Sequence, residues 1–258
     1  MLFWLVHWLL SPRYRLFKLL AAVILFLASA LVFRTAIKFI GDLTDPKSGT
    51  FLQWSRGNAV EREALLTVQR EACPGAPFIL PADGFIGLLY ADPRGPYSST
   101  NPHQGIDIFS PDRDRPGLVP VYAAFDGYIT REDDWRSTLI QRIPEDPLQP
   151  GQQIWLYYTH MADTDGNDFI EDAFPPGIRE VFVEQGTLLG YTGNYNGNSS
   201  RGVWVHLHFS IVNDDGAGNY TNELDFDNTR DPSPYLGMPV NYNCAPPVPG
   251  CSLEPSCS

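Results

Sequence analysis

The sequence predicts a mainly β protein, an antiparallel β-sheet domain preceded by one N-terminal transmembrane helix. Two observations carry this expectation. Five β-rich runs, PVYAAFDGYIT, STLIQRI, QQIWLYYTHM, GTLLGYTG and VWVHLHFSIV, lie between residues 120 and 212, and clusters of Pro, Gly, Asn and Asp separate them. The 258 residues include 23 prolines and 22 glycines, and the only long apolar run without breakers is at the N-terminus.

The elements follow in chain order. Residues 1–18 form a basic N-terminal segment. It opens with the apolar run MLFWLVHWLL, which is too short to span a bilayer alone. Leu19–Phe33 is an uncharged, mostly apolar run flanked by Arg13, Arg15 and Lys18 before it and by Arg34 and Lys38 after it. A bilayer needs about 20 residues, with a lower limit near 17, which the run reaches from Leu16 if Lys18 extends its amine to the headgroups. The expectation is a single-pass signal anchor at 19–33 with the following domain outside the cytoplasm. A cleaved signal peptide ending at Ala28-Ser29-Ala30 would make the protein secreted instead. Residues 34–80 read as a juxtamembrane stalk with a short helix over 57–72, ended by Cys73-Pro74-Gly75. The β domain is expected over 81–240, and 241–258 is a Pro/Cys-rich tail. Four cysteines in an exported domain predict two disulfides among Cys73, Cys244, Cys251 and Cys257, with three possible pairings.

Charge divides unevenly. Five of the 18 basic residues and none of the 30 acidic ones fall in residues 1–38, so the rest of the chain carries 13 basic and 30 acidic residues, a net of −17. Such a domain has no electrostatic reason to bind nucleic acid or anionic lipid.

Four of the five histidines concentrate in three segments, HQGID at 103–107, YYTHM at 157–161 and VHLHF at 205–209. Side chains alternate faces along a strand, so Val203, Val205, Leu207, Phe209 and Ile211 share an apolar face. Trp204, His206, His208 and Ser210 share the other, which a hydrophobic core would not select. Neutral imidazoles paired in this way, with Asp107 four residues after His103, point to a metal site. His7, in the N-terminal run, has no such context. A calcium loop in DTDGNDFIED is disfavoured by register, because Asp168 stands where the sharp-turn glycine belongs and Phe174 where the bidentate Glu belongs. No His-Glu-x-x-His or Gly-x-Ser-x-Gly motif occurs, and no cysteine adjoins a histidine.

In this order, HQGIDIF, VYAAFDGYIT, WLYYTHM, GTLLGYTGN, VHLHFSI and DPSPYL resemble the lysostaphin/LytM-type zinc endopeptidases, over roughly residues 81 to 237. The resemblance implies a fold with an open groove and a zinc site on its floor. It implies one Zn2+ per chain held by His103, Asp107 and His208, with His160 and His206 as the two catalytic histidines. Two imidazoles and a carboxylate leave a tetrahedral zinc one open position for water, the ligand count of a hydrolytic site. Which of His160 and His206 is the general base stays open. The implied substrate is peptidoglycan, at cross-links or stem peptides, or another peptide. The alternative is a non-catalytic binding or activator module of a cell-wall hydrolase with the same fold. Oligomeric state is left open. Two departures from the family pattern are expected to rim the groove, the loop NYNGNSSRG at 194–202 and an acidic insertion at 162–176. A third is Ser210, which stands where many relatives carry an acidic residue just after the His-x-His strand motif.

Overall fold

The structure is a computed structural model. It describes residues 15–93, 101–197 and 202–252, with the side chains of 15–18 and 38–44 left aside. The run at 1–10 with His7 and the cysteine Cys257 lie outside the described residues.

The chain divides into two compact units, Met1–Gly49 and Thr50–Ser258. The first is dominated by α1 (Arg15–Thr44), a 30-residue helix. Within it Leu19–Ile37 has a mean hydropathy of 2.3 and is long and apolar enough to cross a membrane, as either a signal anchor or a signal sequence. The helix outruns the predicted 19–33 because Arg34 and Lys38 are good helix formers and interrupt only the hydropathy.

The second unit is mainly antiparallel β. Its strands are β1 (Phe85–Leu88), β2 (Ile106–Phe109), β3 (Pro120–Tyr122), β4 (Gly127–Thr130), β5 (Leu139–Ile143), β6 (Ile154–Thr159), β7 (Val181–Val183), β8 (Leu188–Tyr191), β9 (His206–Asn213) and β10 (Thr229–Arg230). The main sheet runs β1-β2-β9-β6-β5-β4-β7, and β10 shares the β2 edge of β9. β3 and β8 form a separate two-stranded ribbon. β9 is therefore central. Its residues Leu207, Phe209 and Ile211 join Ile106, Ile108, Leu156 and Tyr158 in one solvent-free cluster. Full burial of one such aliphatic or aromatic side chain is worth about 1.5–3 kcal/mol.

The helix expected over 57–72 is shorter. α3 (Ala59–Glu63) begins with a capping box, Asn58 accepting from the backbone of Val60 and Glu61 while Glu61 reaches back to the Asn58 amide. The chain then leaves the helix because Thr67 exchanges two backbone hydrogen bonds with Gly84, at 2.8 and 3.1 Å, and Leu65 buries with Phe85 and Phe109. Sheet-like pairing and apolar burial outweigh local helical propensity here. A preceding helix, α2 (Pro46–Arg56), has no counterpart in the sequence reading. Its Trp54 is fully buried, with ring centroids 5.6 Å from Phe85 and 4.9 Å from Phe109.

A short helix, α4 (Ser233–Leu236), follows β10, and the tail beyond it folds back on the unit. Cys73 and Cys251 form a disulfide across 178 residues of sequence, and the Thr67 hydroxyl donates to the Pro249 carbonyl at 2.8 Å. Cys244 is also disulfide-bonded.

Candidate metal centre

Register builds the site. Across the β2–β9 ladder Asp107 lies opposite His208, and across the β9–β6 ladder His208 lies opposite Thr159, so His160 follows at the end of β6. His103 precedes β2. Gly105 lets this segment approach β9, since a Cβ there would lie 2.2 Å from the Phe209 carbonyl oxygen. Backbone hydrogen bonds from His103 to Asp92 and from Ala91 to His103, at 3.0 and 2.9 Å, hold the histidine in place.

The three residues His103, Asp107 and His208 are buried, and one donor atom from each lies within 4.8 Å of the others. His103 Nε2 is 3.2 Å from Asp107 Oδ1 and 3.2 Å from His208 Nδ1, and His208 Nδ1 is 2.8 Å from Asp107 Oδ1. The second nitrogen of each imidazole is engaged elsewhere. His103 Nδ1 donates to the Leu89 carbonyl at 3.1 Å, and His208 Nε2 lies 2.8 Å from Glu223 Oε1. Two nitrogens and one oxygen thus converge with their outer partners already in place, a donor set that suits a zinc-like ion.

The other two histidines are adjacent, with ring centroids 4.4 Å apart. His160 Nδ1 donates to the Tyr195 carbonyl, and His206 Nδ1 donates to the Trp204 carbonyl at 2.6 Å. A carbonyl can only accept, so both rings carry their neutral-state proton on Nδ1 and leave Nε2 basic. His206 also stacks on Phe109 at 5.0 Å, and its Nε2 is 3.7 Å from Asp107 Oδ2. His160 adopts φ 72°, in the left-handed region, as does Ala91 beside His103. Such backbone is uncommon for non-glycine residues and tends to concentrate at functional sites. Gly193 accommodates it, because a Cβ there would fall 2.4 Å from the His160 carbonyl oxygen.

Electrostatics separates the histidines. Desolvation opposes charge on His208, but Glu223 and Asp107 outweigh it and push its pKa up to about 10. Desolvation and then the neighbouring His206 push His160 down to about 3, and desolvation also lowers His206 despite the pull of Asp107. Burial works against ionised Asp107, yet the charges of His103 and His206 hold its carboxyl well below the usual carboxylate range.

A cavity of about 360 Å3 opens over the cluster. His103, Asp107, His160 and His208 line it, while His206 does not and sits behind Asp107 and Phe109. Of the two segments expected at the rim, Tyr195, Asn196 and Gly197 contribute. The insertion at 162–176 does not. It buries Ile170 and Phe174 in the core while Asp165, Asp168 and Asp172 stay at the surface, and Asp168 pairs with Arg131 at 2.8 Å. Two contributors had no motif to announce them. Asp134–Thr138 form one wall from an irregular connection between β4 and β5. Glu223 comes from the irregular segment between β9 and β10. The one sequence signal for Glu223 was Ser210, standing where an acidic residue was expected.

No family model and no curated protein matches this chain. Among solved structures it is similar to the antimicrobial peptidase lysostaphin from Staphylococcus simulans, at 21% identity over 58% of this chain and 48% of that one, with a TM-score of 0.36. It is also similar to the catalytic domain of the prophage-encoded M23 protein EnpA from Enterococcus faecalis, at 18% identity over 58% of this chain and 91% of that one, TM-score 0.33. A third is Csd3 from Helicobacter pylori, at 18% identity over 54% of this chain and 30% of that one, TM-score 0.33. The chain spans less than half the length of the lysostaphin and Csd3 structures.

Proposed function

We propose that this chain is a zinc metalloendopeptidase, tethered by α1 with Thr50–Ser258 outside the cytoplasm, that hydrolyses peptide bonds in peptidoglycan cross-links or stem peptides. The observation that carries the reading is the convergence of His103 Nε2, Asp107 Oδ1 and His208 Nδ1 on the floor of a cavity with His160 in its wall. The ordered motif resemblance in the sequence supports the substrate class, and the disulfides support export.

His103, Asp107 and His208 would hold the ion. Zinc bound there would supply a Lewis acid for a carbonyl and lower the pKa of a water toward neutrality. The chain's own residues manage protons. At neutral pH His160 and His206 are uncharged, with Nδ1–H tied to backbone carbonyls, so each offers Nε2 as an acceptor. An Nε2 without a proton cannot donate to a developing oxyanion. It becomes a donor only after accepting one, so the same histidine takes a proton first and returns it later. His160 lines the cavity and is assigned the proton transfer; His206, stacked on Phe109 with its ring 4.4 Å from that of His160, is assigned the support of that ring.

The alternative is a non-catalytic binding or activator module with the same fold. One experiment separates the two. Zinc-loaded full-length chain in detergent is incubated with purified peptidoglycan and with Gly-rich peptides, and new termini are identified by mass spectrometry. Cleavage that ceases on chelation is expected. Tight binding to the same substrates with no new termini would establish the module.

A further inference from the structure

β9 and β10 are joined by an irregular segment that returns over the metal centre, where Leu224 ties it to the segment before β2. The Leu224 carbonyl accepts from Gln104 Nε2 at 2.9 Å and from Asn101 Nδ2 at 2.8 Å, both residues flanking His103. Asn101 Oδ1 accepts in turn from the Phe226 amide at 3.2 Å. The residue before this anchor, Glu223, is half-buried against His208. Its Oε1 accepts from His208 Nε2 at 2.8 Å and from the Ser210 hydroxyl at 3.2 Å.

We propose that Glu223, steadied by Ser210 and presented by the Asn101/Gln104 anchor, is a positioning residue that selects the metal-binding tautomer of His208. The inference rests on the reading of His103, Asp107 and His208 as ligands. Its logic is a competition between two carboxylates for one ring. His208 can hold an ion only after giving up one of its two ring protons; Asp107 lies 2.8 Å from Nδ1, and by itself would keep the remaining proton on Nδ1, the nitrogen that must be free. Glu223 offers an equally short acceptor at Nε2. With the proton held there, Nδ1 presents its lone pair beside Asp107 Oδ1 and His103 Nε2. A carboxylate at the outer nitrogen also makes the ring more basic and fixes its orientation. Ser210 is on the same face of β9 as His208, two residues on, so the strand supplies a hydroxyl where a longer acidic side chain could have served, and Glu223 arrives from the side to supply the charge.

The test is zinc affinity of the full-length chain in detergent, by competition with a chromophoric chelator, alongside thermal melting of the zinc-free protein. Glu223→Ala is expected to weaken zinc binding by about 10- to 100-fold, the usual loss when an outer partner of a ligand histidine is removed. Glu223→Gln, whose amide oxygen can still accept from Nε2–H, is expected to recover part of that loss. In the double variant Ser210→Glu/Glu223→Ala a carboxylate enters from the strand itself, and affinity is expected to return toward wild type. A purely structural role would move the melting temperature without rescue by the double variant. Wild-type affinity in Glu223→Ala, or an equal loss in all three variants, would overturn the inference. A wild-type chain that binds no stoichiometric zinc would overturn both this inference and the ligand reading, and so marks the second failure apart from the first.

Discussion

Along β9, Leu207, Phe209 and Ile211 on one face and His206, His208 and Ser210 on the other are all at most 8% exposed. Burial therefore does not distinguish the faces; their partners do. The apolar face meets Ile106, Ile108 and Tyr158 by close packing, where loss of a side chain leaves a void. The opposite face meets Asp107, Glu223 and backbone carbonyls, where His206 Nδ1 and both nitrogens of His208 have specific partners. Buried polar groups are costly unless satisfied. A strand that satisfies three consecutive in-phase polar residues in its centre is organised for chemistry on that face and for stability on the other.

Substitutions can break this division. The largest expected effect is at the ligands: Asp107→Ala and His208→Ala should each abolish stoichiometric zinc, read as metal content of purified full-length protein. Near-wild-type zinc in both variants would mean that the polar face does not bind metal through these atoms.

Next come the two histidines outside that ligand set. His160→Ala and His206→Ala should retain zinc and lose about 10²–10⁴-fold in peptide-bond hydrolysis, as expected when a positioned proton-transfer group or the ring that supports it is removed. A smaller loss at His206 than at His160 would sharpen the roles assigned from the cavity lining. Unchanged turnover in either folded variant would make that residue a bystander.

On the apolar face, Phe209→Ala should cost about 3–5 kcal/mol of stability by leaving a cavity, while zinc content in the surviving folded fraction stays at wild type. Denaturant melts with metal analysis would check this. Loss of zinc before loss of fold would show that the faces are coupled.

The mildest effect is on pH dependence, measured by melting the chelator-treated chain from pH 4 to 10. His160 is lowered to about 3 in the folded state, so its contribution is complete above about pH 6.5 and lost as pH falls toward 3. His208 is raised to about 10, so its contribution is complete below about pH 6.5 and lost as pH rises through 10. Stability should decline on both sides of neutrality, and His160→Ala should flatten the acid limb. An acid limb unchanged in that variant would assign it to other groups, Asp107 foremost.

The contrast between the faces also explains what the sequence could reveal. Strand periodicity exposed Leu207, Phe209 and Ile211 as core and the interposed histidines as an anomaly, because alternation is a property of neighbouring residues. Asp107 and His103 were legible for the same reason. Glu223 was not, because it sits in an irregular segment and meets His208 through a tertiary anchor at Leu224. The wall formed by Asp134–Thr138 was hidden likewise. The helix over 57–72 was read too long because Thr67 pairs with Gly84, a partner that local propensity cannot see. The Cys73–Cys251 pairing is long-range in the same sense.

The opposition of Asp107 and His208 across the β2–β9 ladder has a kinetic consequence. Those two residues are 101 positions apart in sequence, and His103 lies 105 positions from His208. A slip of one residue in the ladder would turn Asp107 to the other face and set an isoleucine, Ile106 or Ile108, opposite His208. The donor triangle therefore exists only in chains whose most distant strands have already paired in the correct alignment. An ion that recognises all three donors would bind the finished sheet and not its precursors, adding its binding energy to the folded state alone. Metal loading would then act as a late proofreading step, locking in correctly registered chains after the slow, long-range closure is complete.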